Sequence, residues 1–294
     1  MSIVISATSV IKPDPETNGV QQAARAGLEC LSNASLTVED VDFLVNVGVY
    51  RYQNTCEPAV CAMIQHEMGM CLDPRKTPVK KNVFSFDLTN GACGVLSSIL
   101  TLGAMLNARQ CEHALIVGID CPPSEDEDPN FPINPMAGAF LLSRSAESGR
   151  GFGPVWLRTS PETFDGQQGS CDLSVHGTDS RDKVDVVREP NYIPRLVSFA
   201  SEVVNAYLDE HQCPREALLL VCSQPSATFA TDLAEAIGLP ASALVSTFEQ
   251  YGDTHTSSLA VGHQMAQAKG LLEGQRVLFV EAGAGLTVGC TVYT

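Results

Sequence analysis

The sequence predicts an α/β fold made of two duplicated halves. Short, continuous apolar runs alternate with longer stretches of helical spacing. That alternation occurs twice, in the same order, as α–β–α–β–α–β. In each half a polar turn separates the second strand from the third helix. Continuous apolar strands are those buried on both faces, so the pattern implies parallel strands with right-handed helical crossovers.

An opening strand covers Ile3–Thr8, and Lys12–Asn18 leads straight into a helix at Gly19–Leu31. The strand Val41–Val47, a helix from about Pro58 to Met70 and the strand Val83–Leu88 follow. Cys93 sits at a bend, the helix Gly94–Leu106 restarts behind it, and the strand His113–Ile119 closes the unit. In the second half a helix at Ile193–Leu208 precedes the strand Ala217–Cys222. A helix from Thr228 to Ile237, a strand at Leu244–Phe248 and the turn Gly252–His255 come next. The helix Ser257–Leu272 and the strand Val277–Val280 complete it. The middle of the chain, about 124–188, is rich in Gly, Pro, Ser and Asp and reads as loops around a strand at Phe140–Leu142. Residues 1–150, with connecting loops to about 188, form the first half, and 189–294 the second.

Composition narrows the function. The net charge is 18 − 34 = −16, which argues against nucleic acid or an anionic membrane as partner. The dense basic cluster is Arg75, Lys76, Lys80 and Lys81, where an acidic partner could dock. No apolar run approaches the roughly 18–20 residues needed to cross a bilayer, and MSIVISATSVIKPDPE lacks the basic lead of an export signal. The 11 cysteines lack paired spacing, so a reducing cytoplasm is the expected setting, with no metal site and no resident cofactor.

The stretch FSFDLTNGACGVLSS, Phe84–Ser98, runs from a buried strand through a polar turn into a helix. Cys93 then has free backbone N–H groups and the positive end of a helix dipole beside it, which favour a thiolate nucleophile. Duplication places the turn of Asp253 and His255 opposite, at the strand carboxyl ends where open α/β sheets bind ligands. If that turn is extended, Asp253 and His255 share a face; a tight turn splays them apart. His176, in the loop-rich middle, is a second candidate, whereas His66, His113, His211 and His263 read as structural.

The duplicated halves, the FDLTNGACG elbow, the YGDTHTSS turn and the EAGAGLTVG loop resemble the thiolase superfamily over nearly the whole chain. The nearest branch is β-ketoacyl-acyl-carrier-protein synthase III and its acyltransferase relatives in natural-product pathways. The resemblance implies a thiolase-like five-layered αβαβα fold and an acyl group carried as a thioester on Cys93. It implies a homodimer, or a heterodimer with a related ketosynthase-like subunit. It implies an oxyanion hole from the N–H of Cys93 and one from Gly283, Ala284 or Gly285, with Ala284 restricting positive φ. Asn90, Gln224 and Thr254 fall at expected substrate-binding positions. The departures are equally specific. The synthases use Cys, His and Asn; here the His-Gln-Ala-Asn motif reads Ser223-Gln224-Pro225-Ser226, and the Asn position of the turn holds Asp253. The early tryptophan segment that clamps coenzyme A is missing, and an expected arginine is replaced around Thr228.

These substitutions bear on chemistry. Decarboxylative condensation needs neutral donors for an enolate, and an ionised Asp253 would repel it. Acyl transfer to a hydroxyl or amine needs a base instead, which Asp253 beside a histidine supplies. The expected activity is ping-pong acyl transfer or condensation in polyketide or fatty-acid-type biosynthesis, from an acyl-coenzyme A or acyl-carrier-protein thioester. A non-catalytic partner subunit and a decarboxylating synthase with a rearranged triad stand as alternatives.

Overall fold

Two sheets of matching strand order organise the chain in the computed structural model, which describes residues 2–71, 75, 83–108, 111–124, 131–147, 149–162, 166–177 and 182–294. The first half comprises β1 (Ser2–Ile11), α1 (Gly19–Asn33), β2 (Phe43–Asn46), α2 (Val60–Glu67), β3 (Phe84–Asp87), α3 (Gly94–Asn107), β4 (His113–Gly118) and β5 (Ala137–Ser145). The middle adds β6 (Trp156–Thr159), β7 (Gln167–Ser170), α4 (Leu173–His176) and β8 (Asp185–Arg188). The second half comprises α5 (Tyr192–Glu210), β9 (Leu218–Cys222), α6 (Phe229–Ala236), α7 (Phe248–Tyr251), α8 (Ser258–Ala268), β10 (Arg276–Gly283) and β11 (Thr287–Tyr293).

The first sheet runs β1-β5-β4-β2-β3 and the second β6-β11-β10-β9. A single bridge from Leu220 to Leu244 extends the second sheet beyond β9, so the two orders correspond position by position. Strands β2, β3 and β4 pair in parallel, as do β9 and β10. The parallel pairing expected within each half therefore holds, and antiparallel strands extend each sheet on its other side. There β5 runs antiparallel to both β4 and β1, and β11 antiparallel to β10 and β6. The stretch read as a C-terminal loop is the tight hairpin between β10 and β11, turned by Gly285 at φ +71°. The middle is less loop-like than expected: β6 joins the second sheet, and β7 and β8 form a two-stranded ribbon.

The strand expected at Leu244–Phe248 is absent beyond its first residue. Gln224 supplies the hydrogen bonds a neighbouring strand would have made. Its Nε2 donates to Val245 O at 2.8 Å, and its Oε1 accepts from the N–H groups of Thr247 (2.9 Å) and Phe248 (3.0 Å).

Five layers result. Helices α1 and α2 cover one face of the first sheet through Ala24, Leu31, Ile64, Leu44 and Leu115. Helices α3 and α8 lie between the sheets, where Leu96, Leu102 and Leu259 pack with Ile116, Val221 and Phe279. Helix α3 is buried on most sides, which is why it reads as apolar nearly all round. Helices α5 and α6 cover the far face of the second sheet through Leu196, Val204, Tyr207, Phe229 and Leu233. No helix among the described residues is long and apolar enough to cross a membrane.

Candidate active site

The elbow is shaped by its own hydrogen bonds. Cys93 precedes the first residue of α3, and its N–H donates to Asn90 O at 2.9 Å. Asn90 Nδ2 donates to Ser97 Oγ (2.9 Å), which donates to Cys93 O (2.6 Å). Asn90 therefore braces the bend, and the Cys93 N–H expected in an oxyanion hole is engaged by Asn90. Glycine is required behind the cysteine, since a Cβ on Gly94 would lie 2.8 Å from Val47 Cβ.

The thiol environment reverses the expectation of a dipole-stabilised thiolate. Cys93 is fully buried, and its Sγ donates to Thr287 O at 3.4 Å. The N–H groups at the start of α3 are taken by a carboxyl from the other half. Glu281 on β10 accepts from Leu96 N at 2.8 Å and Val95 N at 3.3 Å. Burial, then the charge of Glu281, push the Cys93 thiol well above its ordinary range, against a lowering hydrogen bond from Gly289. Burial also raises Glu281 to about 8, so at neutral pH this carboxyl mostly holds its proton.

Opposite the elbow, Ser223, Asp253 and His255 line one narrow cleft with Ala92, Gln167, Arg188, Tyr192, Pro225 and Ala282. About 10 Å³ is accessible in it, room for roughly one water. Asp253 and His255 do not pair through their side chains. Asp253 Oδ1 accepts from the backbone N–H of His255 (2.9 Å), and Oδ2 forms an ion pair with Arg188 Nη2 at 2.8 Å. Arg188 also donates to Gln167 Oε1 and, at 3.1 Å, to Pro225 O.

The His255 ring turns instead to Asp120, just past β4 of the first half, with Nδ1 and Oδ2 3.0 Å apart. Asp120 is buried, and also accepts from Val49 N and Tyr50 N (2.8 Å each), Thr256 N (3.1 Å) and Thr256 Oγ1 (2.5 Å). Burial would raise the Asp120 carboxyl, but His255 and these donors hold it below its ordinary value. An ionised Asp120 only accepts, so Nδ1 of His255 carries the proton and Nε2 is left for the cleft. Burial lowers the His255 pKa, but attraction to Asp120 outweighs it and the net direction is upward. His255 holds a left-handed backbone, φ +43°, which a non-glycine residue adopts only when its surroundings impose it.

The remaining expected positions make hydrogen bonds or close contacts of their own. Ser223 Oγ accepts from Ala282 N (3.2 Å) at the rim of the cleft, and Thr254 Oγ1 donates to Ser258 Oγ at the start of α8 (3.4 Å). Gly283 passes against the elbow: a Cβ there would lie 3.1 Å from both Ala92 Cβ and Ala92 N. The positive φ expected to strain Ala284 falls on Gly285 instead. His263 is a buried neutral histidine, lowered to about 4 by burial, with Nδ1 3.0 Å from Thr8 Oγ1. His176 ends α4, and its side chain lies outside the described residues, as do Lys76, Lys80 and Lys81 of the basic cluster.

Asp120 and Arg188 were missed by sequence reasoning. The signal for Asp120 was a lone acid at the carboxyl end of a buried strand, on the edge where the site was expected. For Arg188 it was a cation between acidic residues, Asp185 and Glu189, where the loop-rich middle gives way to the second half.

Comparison with known proteins agrees with this architecture. Residues 208–294 match the family model of the 3-oxoacyl-[acyl-carrier-protein] synthase III C terminal. A β-ketoacyl-[acyl-carrier-protein] synthase III of Koribacter versatilis is 25% identical over 284 residues, covering 92% of this chain and 81% of its own. One from Clostridium perfringens is 24% identical over 294 residues, covering 94% and 85%. Among solved structures, 3-oxoacyl-(acyl carrier protein) synthase III, FabH, of Pseudomonas aeruginosa superposes with a TM-score of 0.83 at 19% identity, covering 100% of this chain and 98% of its own. Xanthomonas campestris OleA, with lauric acid and lauroyl-CoA bound, superposes with a TM-score of 0.81 at 15% identity, covering 100% and 99%. With its two sheets in matching order, a cysteine at the first elbow and likenesses that span nearly the whole chain, the protein has a thiolase-like fold and is similar to β-ketoacyl-acyl-carrier-protein synthase III.

Proposed function

We propose that this protein is an acyltransferase or condensing enzyme that carries its acyl group as a thioester on Cys93. The observation that carries the reading is the meeting of the two duplicated turns. A cysteine elbow from one half adjoins a cleft lined by His255, Asp253 and Ser223 from the other. The donor is an acyl-coenzyme A or acyl-carrier-protein thioester, and a second substrate removes the acyl group in ping-pong fashion. The assembly is a homodimer, or a heterodimer with a related ketosynthase-like subunit.

The ion pair with Arg188 bears on the choice of chemistry, because it offsets the negative charge of Asp253 at the cleft. A decarboxylating synthase is therefore less disfavoured than the bare substitution of Asn by Asp suggests, and release of CO₂ from a malonyl thioester separates it from simple transfer. A non-catalytic partner subunit is favoured by one observation, the full burial of the Cys93 thiol beside a closed cleft.

Intact-protein mass spectrometry tests the proposal. Incubation with a panel of acyl-coenzyme A and acyl-carrier thioesters is expected to add one acyl group, and none in Cys93→Ala. No adduct from any donor would overturn the enzyme reading in favour of the partner subunit.

A further inference from the structure

Resting on the acyl-Cys93 reading above, we propose that proton transfer at this site belongs to His255, held in place by the positioning residue Asp120, so that the acceptor is a hydroxyl or amine whose proton must be removed. Asp253 is committed to Arg188, which unfits it as the base its sequence position suggested. Ser223, at the position where the resemblance places a histidine, accepts a backbone hydrogen bond. His255 is the group of the cleft whose ring has one nitrogen fixed by a buried carboxylate and the other left for the cleft.

The geometry around Asp120 fixes that orientation. Four further hydrogen bonds, from Val49 N, Tyr50 N, Thr256 N and Thr256 Oγ1, lock its carboxylate. The backbone N–H of His255 is tied to Asp253, and the Tyr50 ring lies 5.7 Å from the imidazole. The charged and titratable groups facing His255 are thus Asp120 beyond β4, Asp253 on its own turn, Arg188 from β8, Tyr50 behind β2 and Tyr192 at the start of α5. Two carboxylates oppose one guanidinium, so the imidazolium form gains more than it loses.

The step balances. As the acceptor oxygen or nitrogen bonds to the thioester carbonyl carbon, its proton passes to Nε2 of His255. The bond from carbon to Cys93 Sγ then breaks, and Nε2 returns the proton to the departing sulfur. Asp120 holds Nδ1–H throughout and compensates the charge of the imidazolium. Asp120 comes from the first half and His255 from the second, so the dyad exists only when the halves are packed together.

The test uses the full chain acetylated at Cys93 with p-nitrophenyl acetate at alkaline pH, then brought to neutral pH with ethanolamine as acceptor. Peptide mapping follows loss of the acetyl group from Cys93, because the exposed Cys56 also takes up acetyl. His255→Gln and Asp120→Asn are expected to lengthen its half-life about 100-fold. In the wild type the rate should rise with pH as His255 loses its proton, and in Asp120→Asn that midpoint should move to lower pH. A purely structural role would not move the midpoint. Half-lives within about twofold of wild type in His255→Gln, or an unmoved midpoint in Asp120→Asn, would overturn the proposal. Should Asp120→Asn fail to fold, His255→Gln carries the kinetic arm. A wild type that takes no acetyl group from this ester or any panel donor would sink the acyl-enzyme reading on its own. Histidine ¹⁵N spectra then decide the dyad separately: a protonated Nδ1 that disappears in His255→Gln supports it, and an unprotonated Nδ1 in the wild type refutes it.

Discussion

A thiol ionises when its neighbours stabilise negative charge, and around Cys93 they do the reverse. The position of Cys93 at the bend was legible in the sequence, because a polar turn between an apolar strand and an apolar helix leaves little choice of geometry, although that strand, β3, proves to be a partly exposed edge rather than buried. Its electrostatics were not, because the group that takes the helix N–H bonds is Glu281, 188 residues away by number (281 − 93). Read in sequence, Glu281 is merely an acid at the end of an apolar strand; only the meeting of the two halves gives it a partner. Alkylation should report the result. With iodoacetamide near pH 7.5, the exposed Cys56 is expected to react at least about tenfold faster than the buried Cys93, judged by peptide mapping. Equal rates would mean that the thiol is open and activated in the resting protein. Glu281 itself predicts a dependence of stability on pH. Its carboxyl is raised from 4.5 unfolded to about 8 folded, so between these values the folded state holds a proton that the unfolded state has lost. This group therefore makes stability fall as pH rises through that window, by about 1.4 kcal/mol per pH unit, and levels off above the folded value. Glu281→Gln should remove that component, so denaturant unfolding should find the variant gaining on wild type from pH 5 to pH 8. A constant difference across the window would contradict it.

At the scale of elements, the helices and most parallel strands follow from periodicity, whereas the failures are places where side chains or turns replaced a regular ladder. The stretch Leu244–Phe248 carries a strand-like apolar pattern, yet Gln224 satisfies its backbone groups and leaves one bridged residue. Such a substitution is invisible in sequence because a glutamine at a motif position reads as a ligand-binding residue. Strand β11 was missed for the opposite reason: Glu281–Gly289 reads as a glycine-rich loop until Gly285 is seen to close a hairpin. The role of Gln224 is open to measurement. Gln224→Leu leaves Val245 O and the N–H groups of Thr247 and Phe248 buried without partners, and should cost on the order of 3 kcal/mol or more in urea unfolding. A loss below about 1 kcal/mol would show that this segment does not depend on the carboxamide.

Across the whole molecule, the duplication explains why the meeting of the two turns could be anticipated before the contacts there were known. Two turns of equivalent topology must meet where the two sheets face each other across α3 and α8, whatever residues they carry. Which residues interact there depends on the packing of the halves, and that is why the expected Asp253–His255 pair gave way to Asp253–Arg188 and His255–Asp120. The remaining property of the whole molecule is its charge. At −16, the long-range field repels coenzyme A thioesters and acidic carrier proteins alike. Screening weakens that repulsion over a Debye length of about 10 Å at 0.1 M salt, and much longer distances at low salt. The second-order rate of Cys93 acylation by such donors should therefore rise as salt increases from about 0.01 to 0.15 M, while the rate with a neutral ester such as p-nitrophenyl acetate stays flat. Stopped quench and peptide mapping of Cys93 would follow both. A rate that falls with salt for a carrier-protein donor, but not for coenzyme A, would instead mean that a local cationic surface overrides the global field. The segment Arg75–Lys81, placed immediately before the strand that delivers the elbow, is where charge-reversal substitutions would then be expected to abolish the salt effect.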